Sequence, residues 1–259
     1  MSLLPVDEAL RRVLAGTAPL ASEGAPLEDA LGRVLATDLP ALRSQPPFPA
    51  SAMDGYAVRA ADTRAGARLK LVGDASAGRR FDGTVGAGEA VRIFTGAPVP
   101  EGADAILIQE NAERPNDHTV VVGEPVAEGR HIRATGLDFH ETDVLLPAAR
   151  LLGPREIALA AAMGHGAVTV HARPRVAILA AGNELVPPGT VPGPDQIVSS
   201  NGVGIAALVR ATGGAPIDLG IVPDNVEAIV AAIDRARTAP ADVLVTLGGA
   251  SVGDHDLIR

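Results

Sequence analysis

Cysteine and tryptophan are absent from the 259 residues, tyrosine occurs once, and Lys70 is the single lysine. Without cysteine the chain has no disulfide, no thiolate metal site and no thiol catalysis. Aromatic residues make up 2% against 47% hydrophobic, so the core must be built from Ala, Val, Leu and Ile. Scarce aromatics argue against a surface that stacks single-stranded bases. Positive charge is short as well. A formal net charge of -9 excludes a general nucleic-acid binder, because neutralising phosphate needs a basic face. Long apolar runs are lacking too: the longest weakly polar stretch, 157–170, is Ala/Gly-rich, too short to span a bilayer and broken by His165. The N-terminal segment carries Asp7, Glu8, Arg11 and Arg12 among apolar residues, which is the layout of an amphipathic helix and not of a signal peptide. The expectation is a soluble cytoplasmic protein with neither nucleic acid nor membrane as partner. A small anionic ligand held by backbone N–H groups remains open. The six histidines show no metal-ligand spacing, which favours structural or surface roles for them.

What is present divides into four zones, within a length that suits one large domain or two to three small ones. Residues 1–45 read as two short helices, 6–14 and 27–35, with apolar residues at helical spacing. Residues 46–138 read as a β-rich module, with strands at 56–58, 69–72, 90–94, 105–108 and 119–122 separated by Gly, Pro and Asp-Gly turn signals. The third zone has a strand at 144–146 and a helix opened by Gly153-Pro154. We pair the first and third zones as one connecting domain, 1–45 with 139–172, interrupted by the β-rich module. From 173 to 259 the pattern becomes strand, helix, strand, helix, strand: 175–180, a helix capped at Ser200 or Asn201, 217–222, 226–237 and 242–247. That βαβαβ alternation implies a parallel sheet covered by helices. The expected fold class is therefore multidomain, α+β followed by α/β.

In an open parallel sheet, ligands sit beyond the carboxyl ends of the strands. Here each strand of the α/β zone is followed by an acid: Glu184, then Asp224, then Asp254 and Asp256. The last loop, Gly248-Gly-Ala-Ser-Val-Gly253, adds glycine N–H groups and a hydroxyl. Carboxylates and N–H donors on one rim suit Mg²⁺ with phosphate, since hard Mg²⁺ takes one or two carboxylates and completes its shell with water and ligand oxygens. Loop acids also close turns and cap helices, and Pro223-Asp-Asn225 ahead of a helix reads equally as a cap.

One string carries a more specific signal. Pro46-Pro-Phe-Pro-Ala-Ser-Ala-Met-Asp-Gly-Tyr-Ala-Val58 closely resembles the hallmark of the molybdopterin molybdenumtransferase family, which is related to gephyrin. The likeness continues in order through Arg92-Ile-Phe-Thr-Gly-Ala-Pro-Val-Pro-Glu-Gly-Ala-Asp104, Gly136-Leu-Asp138, Gly182-Asn-Glu-Leu185 and Gly248-Gly-Ala-Ser-Val-Gly-Asp-His-Asp256. The resemblance implies an enzyme of molybdenum cofactor biosynthesis that takes adenylylated molybdopterin, hydrolyses its phosphoanhydride in a molybdate- and Mg²⁺-dependent step, releases AMP and leaves the metal on the dithiolene. By motif it implies catalytic roles for Asp54, Thr95, Glu184, Asp224 and Asp256. Gly248, Gly249, Ser251, Gly253 and Asp138 would bind the molybdopterin ligand, and Glu184, Asp224 and Asp256 would hold the metal. It further implies a homodimer whose site joins the β-rich module of one subunit to the α/β domain of the other. A molybdopterin adenylyltransferase would be a further partner.

The chain departs from the family pattern in three places. Ser199-Ser-Asn201 stands where many relatives have Asp-Ser-Asn or Asp-Thr-Asn, and Gly136-Leu-Asp138 where many have Gly-Glu-Asp. Relatives also continue past the last glycine loop, soon reaching a Lys-Pro-Gly-Lys-like segment whose positive charge would balance phosphate and molybdate. The expectation is therefore a chain truncated within its molybdopterin-binding domain, with weak binding and slow turnover. The alternatives are a non-catalytic fragment or gephyrin-like scaffold, and the related molybdopterin adenylyltransferase, which lacks a counterpart of residues 46–58 and of Thr95.

Overall fold

The first helix forms where apolar residues recur every three to four positions. In the computed structural model, which describes residues 4–248, α1 (Val6–Leu14) sets Glu8 as acceptor for both Arg11 and Arg12. None of its residues is buried. The chain then departs from the expected second helix at 27–35. It forms strand β1 (Ser22–Pro26) and a single 3₁₀ turn, Leu27–Asp29. Leu27, Leu31 and Leu35 lie at helical spacing, but Gly32 takes a left-handed φ of 72°. Beyond it Val34 and Leu35 bridge to Leu151 and Val170 as extended chain. Leu35 is fully buried through that bridge.

Contacts divide the chain into two units, one of residues 38–147 and 155–166, the other of residues 1–37, 148–154 and 167–259. The first holds a six-stranded sheet built from β2 (Gly55–Val58), β3 (Arg68–Ala75), β4 (Glu89–Ile93), β5 (Ala105–Ile108), β6 (Ala112–Asn116) and β7 (Thr119–Val122). The order is β5-β2-β4-β3-β7-β6, with only β3 and β4 parallel. Successive side chains of a strand point to opposite faces, and here both faces are covered. Tyr56, Val58, Ala90 and Leu107 enter one cluster; Ala57, Val91, Ile93 and Ile106 enter the other. Leu39 pairs with Leu146 at a short antiparallel bridge, and α2 (Pro154–Ala162) opens at the expected proline. Strand β6 lies where the sequence reading placed no strand. Its Glu113, Arg114 and Pro115 are exposed, as suits an edge strand.

In the second unit β1 pairs antiparallel with β8 (Ala167–His171), from Ser22 with His171 to Pro26 with Ala167. The buried Arg33 donates to Glu23 and to the His171 carbonyl across that pair. Strand β9 (Arg175–Ala181) is the centre of a parallel sheet between β10 (Ala215–Val222) and β11 (Val243–Leu247). Helix α3 (Asn201–Ala211) joins β9 to β10, and α4 (Val226–Thr238) joins β10 to β11. The βαβαβ expectation holds. Leu179, Ala181 and Val222 pack with Ile229 and Ala232 of α4 to form this unit's core. Among the described residues no helix is long and apolar enough to cross a membrane.

Candidate functional site

Two groups of the expected residues come together, one in each unit. In the first unit Asp54 lies just before β2 and Thr95 just after β4. These strands are antiparallel neighbours, with Gly55 opposite Ile93, so the two loops meet at one end of the sheet. The Thr95 N–H and hydroxyl both donate to Asp54 Oδ1 at 2.8 Å. First the Thr95 backbone N–H, then its hydroxyl, and further the Arg92 charge hold the Asp54 carboxyl below its ordinary value. Asp54 is therefore ionised at neutral pH, with Oδ1 occupied by donors. Thr95 thus reaches across to Asp54, just ahead of the neighbouring strand. Gly55 lets β2 approach β5: a Cβ there would lie 2.1 Å from the Leu107 carbonyl oxygen.

In the second unit Glu184 and Asp224 follow β9 and β10 at their carboxyl ends. Asp224 Oδ2 accepts from the Asn183 N–H at 3.2 Å, and Asn183 Oδ1 accepts from the Asp224 N–H at 3.2 Å. That reciprocal clasp ties the two outgoing loops together. The cap of α4 falls to Asn225, whose side chain accepts from Ala228, which resolves the cap reading left open for Asp224. Glu184 is exposed, its carboxylate turned back over Gly182. Gly248 ends β11 with φ 95°, where a Cβ would meet the Ala181 carbonyl oxygen at 2.4 Å, so the close approach of two strand ends requires glycine. A cavity of about 710 Å³ opens beside this rim, lined by Gly182, Asn183, Ser199 and Pro223 and, along α3 and β10, by Val203, Arg210 and Asp218. Its size lies within the range of small-molecule sites.

Asp138 lies in the first unit, exposed, on a turn where its N–H donates to the Gln45 carbonyl. Gly249, Ser251, Gly253 and Asp256 lie outside the described residues. Among the described residues no group of three or more His, Asp or Glu side chains is arranged to hold a metal. Glu184 and Asp224 nonetheless offer hard oxygen donors at the two adjoining strand ends, a donor chemistry that fits Mg²⁺ completing its shell with water and ligand oxygens. Sequence reading passed over Asn183, Arg92 and Gln109. Their contacts depend on strand pairing and loop clasping; the signal in the sequence was that Arg92 and Asn183 both lie within the family motifs.

Comparison with known proteins gives two matches in order along the chain. Residues 4–164 match the MoeA N-terminal region (domain I and II), and residues 177–259 match a probable molybdopterin binding domain. A molybdopterin molybdenumtransferase of Nostoc sp. is 39% identical over 232 residues, covering 88% of this chain and 53% of that protein. One from Haemophilus influenzae is 34% identical, covering 99% of this chain and 64% of that protein. The crystal structure of the molybdopterin biosynthesis MoeA protein of Pyrococcus horikoshii superposes with a TM-score of 0.85 at 35% identity, covering 96% of this chain and 64% of that one. The chain thus spans between half and two thirds of the length of these relatives.

Proposed function

Because this chain belongs to the molybdopterin molybdenumtransferase family, we propose that it acts in molybdenum cofactor biosynthesis, inserting molybdate into adenylylated molybdopterin with release of AMP. The observation that carries the reading is the ordered pair of family matches spanning both units. The match over residues 4–164 favours this reaction over that of an adenylyltransferase. Three domains, 1–45 with 139–172, 46–138 and 173–259, would share the work in a cytoplasmic homodimer. The module carrying Asp54 and Thr95 would face the partner's α/β domain.

Each residue of the site would have its own task. Glu184 and Asp224, with Asp256, would hold Mg²⁺, which when bound screens phosphate charge. The clasp between Asn183 and Asp224 keeps the second carboxylate in place without a rotamer search. Gly248, Gly249, Ser251 and Gly253 would give N–H and hydroxyl donors to the ligand's phosphate, and Asp138 would contact the same ligand. Asp54, ionised and held on Oδ1 by Thr95, would use Oδ2 to orient the water that attacks the phosphoanhydride. A carboxylate with one oxygen fixed presents the other in a set direction.

The test is direct. Adenylylated molybdopterin is incubated with the protein, molybdate and Mg²⁺, and AMP is measured by chromatography. AMP should appear above the protein-free rate and fall when Mg²⁺ is chelated, and Asp54→Asn should slow it by on the order of 10²-fold, the usual contribution of a positioned base. A rate equal to that of the protein-free solution, with ligand shown to be bound, overturns the assignment.

A further inference from the structure

The arginine of the second motif has entered the site so far only through its charge on Asp54, yet three segments of the first unit converge on its guanidinium. Arg92 lies opposite Tyr56 in the pairing of β4 with β2. Its guanidinium carbon sits 5.0 Å from the centre of the Tyr56 ring and 4.8 Å from that of Phe94. Both distances are within the range at which a cation is attracted to an aromatic face. Nη1 donates to the Gly55 carbonyl at 3.2 Å, and Nη2 donates to Gln109 Oε1 at 2.8 Å. The Gln109 N–H in turn donates to the Asp54 carbonyl at 3.1 Å, and its side-chain amide donates to Glu110. One planar group therefore touches residue 55 beside Asp54, residue 94 beside Thr95, and residue 109, which bonds Asp54 from the 3₁₀ turn that follows β5.

We infer that Arg92 is the positioning residue of the Asp54–Thr95 pair, the group that sets the ends of β2 and β4 so that both Thr95 donors reach one carboxylate oxygen. Two aromatic contacts fix the plane of the guanidinium, and two hydrogen bonds fix its rotation within that plane. Lysine keeps the charge but has neither the plane nor the fork. The site demands more than charge: the Coulombic influence of Arg92 on Asp54 ranks below both hydrogen bonds from Thr95. What the arginine supplies is the geometry that lets those stronger contacts form. The groups acting on the carboxylate are the Thr95 N–H and hydroxyl and the Arg92 charge; Asp74, opposite Arg92 in the pairing of β3 with β4, and Glu110, bonded to the Gln109 amide, are further charges beside the cluster.

The inference rests on the proposed function only for the pair's importance to catalysis; its test does not need turnover. The titration of the Asp54 carboxyl is followed by carbon-13 NMR in the whole chain, for the wild type, Arg92→Lys, Arg92→Gln and Gln109→Ala, with circular dichroism as the control for folding. If Arg92 positions the pair, the Asp54 midpoint moves up toward the ordinary carboxylate range in Arg92→Lys nearly as far as in Arg92→Gln. The Thr95 amide proton then loses its downfield, hydrogen-bonded shift in both. Gln109→Ala, which leaves charge and stacking intact, should move the midpoint up by a smaller step and serves if the arginine variants fail to fold. An unchanged midpoint in Arg92→Lys, or in Gln109→Ala where only that variant folds, overturns the inference and leaves charge alone as the role of Arg92. If the midpoint moves while AMP release does not, positioning stands and the catalytic reading of Asp54 falls.

Discussion

At Asp54 a single carboxylate oxygen takes both donors of Thr95, and this bond has a signature in pH. The Asp54 pKa is lowered in the folded chain. Whatever stability the pair contributes is therefore complete above the unfolded carboxylate pKa and is lost as pH falls through the folded one. Thr95→Val removes the hydroxyl but keeps the backbone N–H, the larger of the two influences. The Asp54 midpoint should rise part of the way toward its ordinary value, as read by carboxyl NMR; a midpoint that stays put would show that the hydroxyl does nothing there. Gly55, next in the chain, makes a different demand. An added methyl would lie 2.1 Å from the Leu107 oxygen, and backbone cannot yield as a flexible side chain can. Gly55→Ala should cost about 1–3 kcal/mol in denaturant unfolding, the usual range for overpacking; a loss below about 0.5 kcal/mol, the scale of a neutral surface change, would mean that β2 and β5 separate easily.

Among elements, β9 and β11 are tied together at their amino ends by an ion pair. Asp242, just before β11, accepts from the Arg175 N–H at 2.8 Å and from its Nε and Nη2 at 3.2 Å, while the Asp242 N–H donates to the Arg175 carbonyl. The Arg175 side-chain bond, then its backbone bond, lowers the Asp242 pKa. The sign follows that of Asp54: the contribution is present above the unfolded carboxylate pKa and disappears as pH falls through the folded value. Asp242→Asn should flatten the acid limb of a plot of Tm against pH; an acid limb as steep as that of the wild type would count against the ion pair. These α/β elements were legible in sequence because β9 and β11 are nearly continuous apolar runs, and in β10 Ile217, Leu219 and Ile221 alternate with Asp218 and Gly220. The error at 27–35 has a physical source. Leucines four apart satisfy a helix, but the left-handed Gly32 and the bridges of Val34 and Leu35 favoured sheet. Strands β1 and β6 escaped notice because their residues are mostly exposed, leaving no apolar alternation to read.

For the molecule as a whole, the ordered motifs made the family readable, since each string keeps its own local chemistry whatever the fold around it. The acids at strand ends were legible for the same reason: a loop acid after an apolar run needs no partner to be seen. The Asn183–Asp224 clasp and the Arg92 junction were not, because each joins residues whose meeting depends on loop and strand geometry that no local pattern encodes. One of those junctions has an optical consequence. The chain has no tryptophan and a single tyrosine, so its ultraviolet emission on excitation of tyrosine comes from Tyr56 alone. That fluorophore stacks on Arg92 two residues from Asp54, with no indole to drain its excited state. The protein is thus born with a label at the edge of its candidate site, and changes there can be followed by light without altering an atom.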